Sequence, residues 1–127
     1  MPDLWSIEQF QDHRGKYPVQ DFLSQLLDTE VQRLLLRLKR ARDEKLLVSS
    51  HIVSQLELGI FELRAENSLN NPRILFTTVD TRIILLHGFA KVGRSSNKIP
   101  PSELQVARQR RAIILEREEY KKNNYEK

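Results

Sequence analysis

Alternating hydrophobic and polar positions predict β-strands in the second half of the chain. Residues 59–65 and 73–79 alternate with period two, so that in the first of them Glu62 and Arg64 share one face and apolar side chains occupy the other. Residues 82–91 form a nearly continuous apolar run, which is typical of a central strand covered on both faces. Three consecutive strands are therefore expected, with cations on one face.

Apolar positions at helical spacing predict three helices. The first begins at Pro18, a residue suited to the first helical position, and ends near Asp28. The second begins at Thr29, where Gln32 stands in the capping-box position. Ser102 is expected to cap the last helix, which carries many arginines on its outer side.

These elements predict a small α+β fold. Residues 5–10 alternate like a short opening strand, and residues 45–58 fit neither period and are interpreted as a connector. The order is then β-α-α-β-β-β-α: an antiparallel sheet of about four strands, with a helical pair on one face, the other face partly open and a C-terminal helix. The length predicts a single domain over residues 1–127, with a flexible tail after about residue 120.

Composition narrows the chemistry of the chain. There are no cysteines, and His13, His51 and His87 lack the spacing of metal ligands, so neither a metal site nor another cofactor is predicted. The N-terminus lacks a signal-peptide pattern, and no run reaches the roughly 18 apolar residues of a membrane span. A cytoplasmic protein without membrane contact is expected.

The charge is unevenly divided along the chain. Residues 1–58 hold 8 Lys/Arg and 9 Asp/Glu, whereas residues 59–127 hold 13 and 8, so the basic excess belongs to the predicted strands and the last helix. A basic surface attracts the phosphate backbone of nucleic acids through counterion release. Nucleic acid is therefore the expected kind of partner.

Six segments in this order resemble the HigB-type toxins of the RelE/ParE superfamily, including their phage-derived branch. The segments are Trp5 to Glu8, Gly15 to Leu23, Gly59 to Arg64, Arg73 to Phe76, Leu85 to Lys91, and Lys98 to Ala107. The resemblance covers most of the chain. It implies a RelE-like fold and a ribosome-dependent endoribonuclease that cleaves translated mRNA and inhibits translation.

The resemblance also implies partners and active-site positions. The partners are the ribosome, mRNA and a helix-turn-helix (HigA-like) antitoxin, through which alone operator DNA is contacted. Arg73 and Lys91 match the family's active-site positions. The chain departs from the family pattern at Val92, at Pro101 and in the length of the 93–101 loop, and these departures put the activity and the codon preference in question.

Metal-independent RNA cleavage requires a base, an acid and positive charge at the phosphate, because the ribose 2′-OH attacks the adjacent phosphorus. Arg73 is assigned to the scissile phosphate, since a guanidinium is planar and can bind two oxygens at once. Lys91 is the candidate base, because crowding by Arg64 and Arg73 disfavours its ammonium form. Arg64, Arg73 and Lys91 are thus the predicted catalytic residues.

Two further residues have possible supporting roles. Glu62 is expected to pair with Arg64, either to orient its guanidinium or as a plain cross-strand ion pair. His87 is a possible base, although its apolar neighbours favour a packed, hydrogen-bonded histidine. The cations predicted to bind RNA are Arg94, Lys98, Arg108 and Arg111.

Two other functions fit the same scaffold. A ParE-like gyrase inhibitor would need no cleavage chemistry from these cations. A binding module that has lost catalysis is the second alternative, and Val92 is the feature that favours it.

Overall fold

The computed structural model describes residues 5–44, 53–65, 69–90 and 99–125. The elements in chain order are β1 (Ser6–Gln9), α1 (Pro18–Leu23), α2 (Asp28–Asp43), β2 (Val53–Glu57), β3 (Ile60–Arg64), β4 (Pro72–Val79), β5 (Arg82–Ala90) and α3 (Pro101–Tyr125). The predicted α+β class, the helical pair and the C-terminal helix are confirmed, with one strand more than predicted.

The five strands form one sheet in the order β1-β5-β4-β3-β2. The chain leaves one edge of the sheet after β1, returns at the opposite edge as β2 and then meanders back through antiparallel neighbours. This path places β5 beside β1 in the parallel direction, so the sheet is mixed rather than purely antiparallel. The turn between β4 and β5 holds Asp80 at a positive φ of 54°, which an aspartate tolerates better than most residues.

The additional strand, β2, lies in the segment that the sequence pattern predicted to be a connector. It has five residues at the edge of the sheet, and its pairing with β3 shifts register between Gln55 and Glu57. Because a register shift turns part of the strand, buried and exposed positions do not alternate regularly along β2, and its sequence does not show a clear two-residue period. The rest of the predicted connector, residues 45–52, lies outside the described residues.

Each face of the sheet carries its own core. Helices α1 and α2 cover one face, with a core that includes Val19, Leu23, Leu34, Leu38, Leu63 and Phe76. Helix α3 covers the other face, with a core that includes Phe10, Ile60, Leu75, Ile84, Leu86 and Ala107. The expectation of a partly open second face is therefore wrong, because α3 packs on β4 and β5.

The helix boundaries correct two predictions in the first half. Helix α1 ends at Leu23, and α2 begins at Asp28. The predicted capping box of Thr29 and Gln32 is wrong, since the Glu30 carboxylate accepts a hydrogen bond of 3.2 Å from the Leu27 N–H. The buried Glu30 carboxylate also accepts hydrogen bonds from the backbone N–H and the side-chain amide of Asn70, which precedes β4.

The last helix is longer than predicted. Pro101, rather than Ser102, opens α3, and the helix continues to Tyr125, past residue 120, after which the sequence predicts a flexible tail. Proline suits this first position because it has no N–H to satisfy. In the described part of the chain, no helix is both long and apolar enough to cross a membrane.

Candidate functional site

The strand register brings the candidate residues of β3, β4 and β5 to one end of the sheet, on the face that α3 covers. Arg64 and Arg73 are direct cross-strand partners. Glu62 and His87 both pair with Leu75, a residue of the α3-side core, from the two neighbouring strands. Because partners in register point to the same face, the four polar side chains gather there.

Within this group, the carboxylate of Glu62 binds the guanidiniums of both Arg64 and Arg73, and these three residues are called the arginine cluster below. Glu62 is 2% exposed, and its Oε2 lies 2.8 Å from Nη1 of Arg73. Its Oε1 lies 3.4 Å from Nε of Arg64. Like charges placed opposite one another repel, and the shared carboxylate offsets that repulsion. The three side chains together keep one positive charge in excess.

Arg73 is more deeply buried than the sequence predicts. A cation at the start of a strand is expected to be exposed, whereas Arg73 is 7% exposed. The reason is that residues 72–77 of the central strand β4 are all buried. Among the described residues Nε of Arg73 has no hydrogen-bond partner, so this guanidinium retains an unused donor.

His87 is bound through both ring nitrogens. Its Nδ1 lies 3.3 Å from Nη1 of Arg110, and its Nε2 lies 3.0 Å from Oε1 of Glu103. Arginine can only donate, so Nδ1 accepts and the proton of the neutral ring is on Nε2, which donates to Glu103. The ring also stacks on Phe89 at 5.8 Å between centroids. These contacts of His87 hold α3 against β5. A catalytic role for His87 stays a prediction.

Arg110 is a site residue that the sequence pattern missed. It was expected on the outer side of the last helix, but it is partly buried and donates to the Leu86 carbonyl at 2.9 Å. Burial lowers the pKa of Arg110, while the charge of Asp12 opposes that shift. Its position three residues after the buried Ala107 is the signal that could have found it.

Arg108 and Arg111 lie at the other end of β3, near the turn that precedes it. The Arg108 guanidinium binds both carboxylate oxygens of Glu57, with the shortest contact at 2.7 Å. Nε of Arg111 lies 3.3 Å from Oγ1 of Thr77, and its guanidinium covers Gly59, where a Cβ would meet it at 2.5 Å. Both cations are thus engaged with protein groups, and their RNA binding stays a prediction.

Three predicted cations, Lys91, Arg94 and Lys98, lie outside the described residues. Lys91 follows directly on Ala90, the last residue of β5, and Ala90 pairs with Pro72. Pro72 in turn precedes Arg73. The chain therefore enters the undescribed segment beside the cluster of Arg64 and Arg73.

Comparison with known proteins identifies a family. A search for curated relatives found no match. The family model described as Phage derived protein Gp49-like (DUF891) matches residues 21–112, which contain β2 to β5 and most of the cluster's contacts with α3. This family is one of toxin-like proteins of the RelE/ParE type, and membership is compatible with a toxin that pairs with an antitoxin. Since the matched residues make up well over half of the chain, the chain belongs to the family of phage-derived Gp49-like proteins.

Proposed function

We propose that the protein is a HigB-type toxin, a ribosome-dependent endoribonuclease that cleaves translated mRNA without a metal and is neutralised by a helix-turn-helix antitoxin. One observation carries this proposal: among the described residues, guanidiniums from two neighbouring strands both bind the carboxylate of Glu62, so that these three side chains bring two positive charges and one negative charge together. Family membership supports the toxin part of the proposal. The cleavage chemistry rests on the cluster.

The cluster suits stabilisation of a phosphorane. Glu62 fixes Arg73 beneath the surface, whereas the Arg64 side chain is 20% exposed and is the outer of the two guanidiniums. Preorganised donors aimed at developing charge contribute about 2.7–4 kcal/mol each to transition-state stabilisation. Because Arg73 is only 7% exposed, this proposal moves the contact with the scissile phosphate from Arg73, where the sequence placed it, to Arg64, and Arg73 supplies positive charge behind it.

The base is assigned to Lys91 rather than to His87. Both ring nitrogens of His87 are occupied by α3, so proton abstraction by His87 would require α3 to release it. Lys91 follows the strand that runs beside Arg73. A lysine placed next to two guanidiniums would have its ammonium form disfavoured, and for this reason we assign proton transfer to it.

The test compares mRNA cleavage by variants on programmed ribosomes. Arg64→Ala is expected to lower the single-turnover cleavage rate by roughly 100-fold, the loss typical of one preorganised donor. Arg14→Ala is the matched control, because Arg14 is an exposed arginine in the β1–α1 turn. Cleaved messages should carry 2′,3′-cyclic phosphate ends, which end-specific ligation detects. Arg73→Ala is less informative, since it also leaves Glu62 buried without its closest partner.

The alternative functions predict different outcomes for the wild-type protein in this assay and in a parallel assay of DNA cleavage by gyrase. If the wild-type protein produces no new RNA ends but stabilises gyrase-linked DNA breaks, the ParE-like function replaces the nuclease. Ribosome binding without cleavage would instead identify an inactive binding module. An Arg64→Ala variant that cleaves as fast as Arg14→Ala would overturn the assignment of the cluster.

A further inference from the structure

Helix α2 contacts both ends of the loop that joins β3 to β4. The Arg37 side chain donates through Nη1 to the carbonyl of Arg64, the last residue of β3, at 2.5 Å. The Glu30 carboxylate accepts hydrogen bonds from Asn70, which precedes β4: one of 2.9 Å from the backbone N–H and one of 2.8 Å from the side-chain amide. The same helix therefore holds the chain where it leaves Arg64 and where it returns toward Arg73.

The positions of Glu30 and Arg37 on α2 explain why they reach this loop. Leu34 and Leu38 belong to the buried stripe of the helix. Glu30 lies one turn before Leu34 and is 1% exposed, and Arg37 lies beside Leu38 and is partly buried. Burying a carboxylate is costly unless it is hydrogen-bonded, and the two hydrogen bonds from Asn70 offset that cost.

Glu62 holds Arg64 less closely than it holds Arg73. Its contact with Arg64 is 3.4 Å long, against 2.8 Å for Arg73, and the Arg64 side chain is 20% exposed, against 8% for Arg73. A longer and more exposed ion pair fixes a side chain less strongly. How firmly the backbone of Arg64 is held therefore bears directly on the direction of its guanidinium.

The backbone at the end of β3 is held from two sides. On one side, the Ala65 N–H donates to the Pro72 carbonyl at 3.1 Å, which continues the ladder with β4. Alternate residues of an antiparallel strand turn their backbone groups to opposite sides, so the Arg64 carbonyl points away from β4. Arg37 binds that carbonyl from α2, on the face of the sheet opposite the arginine cluster.

We propose that Arg37 is a positioning residue for Arg64, and that Glu30 has the same role for Arg73 through Asn70. The inference rests on the proposed function, in which Arg64 contacts the scissile phosphate. A preorganised donor acts only from the productive geometry, and a displacement of about 1 Å can cost roughly 100-fold in rate. Helix α2 thus supports cleavage from the face of the sheet that the phosphate does not contact.

The first test separates the cleavage rate from ribosome binding. Arg37→Met removes the donor and keeps much of the side-chain length; it should lower the single-turnover rate on saturating programmed ribosomes roughly tenfold. The ribosome concentration that gives half of the maximal rate should not change. Arg37→Lys should recover most of the rate, because an ammonium can still donate to the carbonyl. Arg40→Met is the matched control, since Arg40 lies on the same helix and pairs with Glu44 one turn later.

The second test requires no cleavage. In protein with isotopically labelled arginine, NMR detects the Nε–H signal of Arg64, which is identified by its loss in Arg64→Ala. Arg37→Met should shift this signal and lower its heteronuclear NOE, because the guanidinium becomes more mobile. Arg40→Met should leave the signal as it is in the wild type.

A second variant keeps the tests interpretable if Arg37→Met fails to fold. Asn70→Ala removes one of the two hydrogen bonds to Glu30 and leaves α2 unchanged. It should lower the single-turnover rate several-fold without changing the half-saturating ribosome concentration. Leu69→Ala is its control, because the neighbouring Leu69 is 75% exposed.

Three outcomes would overturn the proposal. The first is that Arg37→Met cleaves as fast as Arg40→Met, and Asn70→Ala as fast as Leu69→Ala. The second is a change in the half-saturating concentration alone, with a smaller salt dependence, which would show that Arg37 binds RNA directly. The third is an Arg64 signal that is the same in Arg37→Met and Arg40→Met. A wild-type protein that cleaves no mRNA would instead overturn the proposed function, and the Arg64 signal would still decide whether Arg37 positions it.

Discussion

At the scale of single residues, Glu62 is the side chain on which the arginine cluster depends. Burying a charge is costly unless it is paired, and Glu62 and Arg73 are both more than nine-tenths buried. Their 2.8 Å contact therefore offsets two burial costs at once. The 3.4 Å contact with Arg64 is longer and more exposed, so it contributes less.

We expect Glu62→Gln to destabilise the protein by about 3–5 kcal/mol, the usual cost of leaving a buried charge without its partner. The substitution keeps the shape of the side chain, so lost packing contributes little. Urea unfolding followed by circular dichroism measures the change. Glu8→Gln is the control: its contact with Arg82 is 3.5 Å long and exposed, and a change within about 0.5 kcal/mol is expected. Equal stability losses in the two variants would show that Arg73 does not need the Glu62 charge.

Sequence pattern identified this cluster only in part. The two-residue alternation of β3 places Glu62 and Arg64 on one face of the sheet. That Arg73 lies beside them follows from the pairing of β4 with β3. The burial of Arg73 could not be predicted from its place at the start of a strand, because the central position of β4 depends on the path of the whole chain across the sheet. Helix α3 supplies Glu103 and Arg110 to His87, so the occupied state of the His87 ring nitrogens is also a tertiary effect.

At the scale of elements, α3 is held to the sheet by polar contacts along its first half. Glu103 binds β5 through His87, and Arg108 binds Glu57 at the end of β2. The hydrogen bond from Arg108 is the main reason that the pKa of Glu57 lies below its ordinary value. The helix is thus fastened to a central strand and to an edge strand.

Removing the Arg108 side chain should raise the pKa of Glu57 back toward its ordinary value of 4.5. A lowered carboxyl pKa stabilises the fold above the ordinary value, and that contribution is lost as the pH falls through the folded-state pKa. Arg108→Ala should therefore flatten the pH dependence of stability in the acid range. Carbon-detected NMR titration of the glutamate carboxyls measures the shift directly.

The control for this titration is Arg117→Ala on the same helix, since Arg117 donates to the Gln11 carbonyl on the opposite side of α3. Glu57 should titrate in that variant as it does in the wild type. An unchanged Glu57 pKa in Arg108→Ala would mean that the ion pair does not persist in solution.

Hydrophobic periodicity predicted the elements in which the pattern repeats and missed one short edge strand. The stripe of α2 and the runs of β3 to β5 are repeated often enough to define a period. The five residues of β2 are too few, and their register shift interrupts the alternation. The capping residue of α2 was predicted wrongly for a different reason. Glu30 is also held by its contact with Asn70, 40 residues away, and the local sequence does not show that contact.

At the scale of the whole molecule, the two faces of the sheet are covered by helices from different halves of the chain. The face with α3 holds the arginine cluster, and α1 and α2 cover the opposite face. Composition shows the same division, since the first 58 residues are slightly acidic and the remainder is basic. Which half of the chain covers which face could not be read from composition, because it depends on the path of the chain across the sheet.

Helix α3 extends beyond the sheet that it covers. Its 25 residues correspond to about 37 Å, whereas the nine residues of β5 span about 30 Å. In the part of the chain that the structure describes, the last ion pair between α3 and the sheet is that of Glu118 with Arg82, and the hydrogen bond from Arg82 to Glu118 raises the pKa of Arg82. The side chains of residues 121–124 are exposed.

Since the described side chains at this end of α3 are exposed, we expect deletion of residues 121–127 to leave the free energy of unfolding within about 0.5 kcal/mol of the wild-type value, as is usual for changes at an exposed chain end. Glu118→Gln, which breaks the partly exposed pair with Arg82, should cost about 0.5–1 kcal/mol. Urea unfolding of the two proteins at equal ionic strength gives the comparison. A truncation that costs more than Glu118→Gln would show that the end of α3 packs on part of the chain, and the sheet contacts alone would then not account for the stability of the helix.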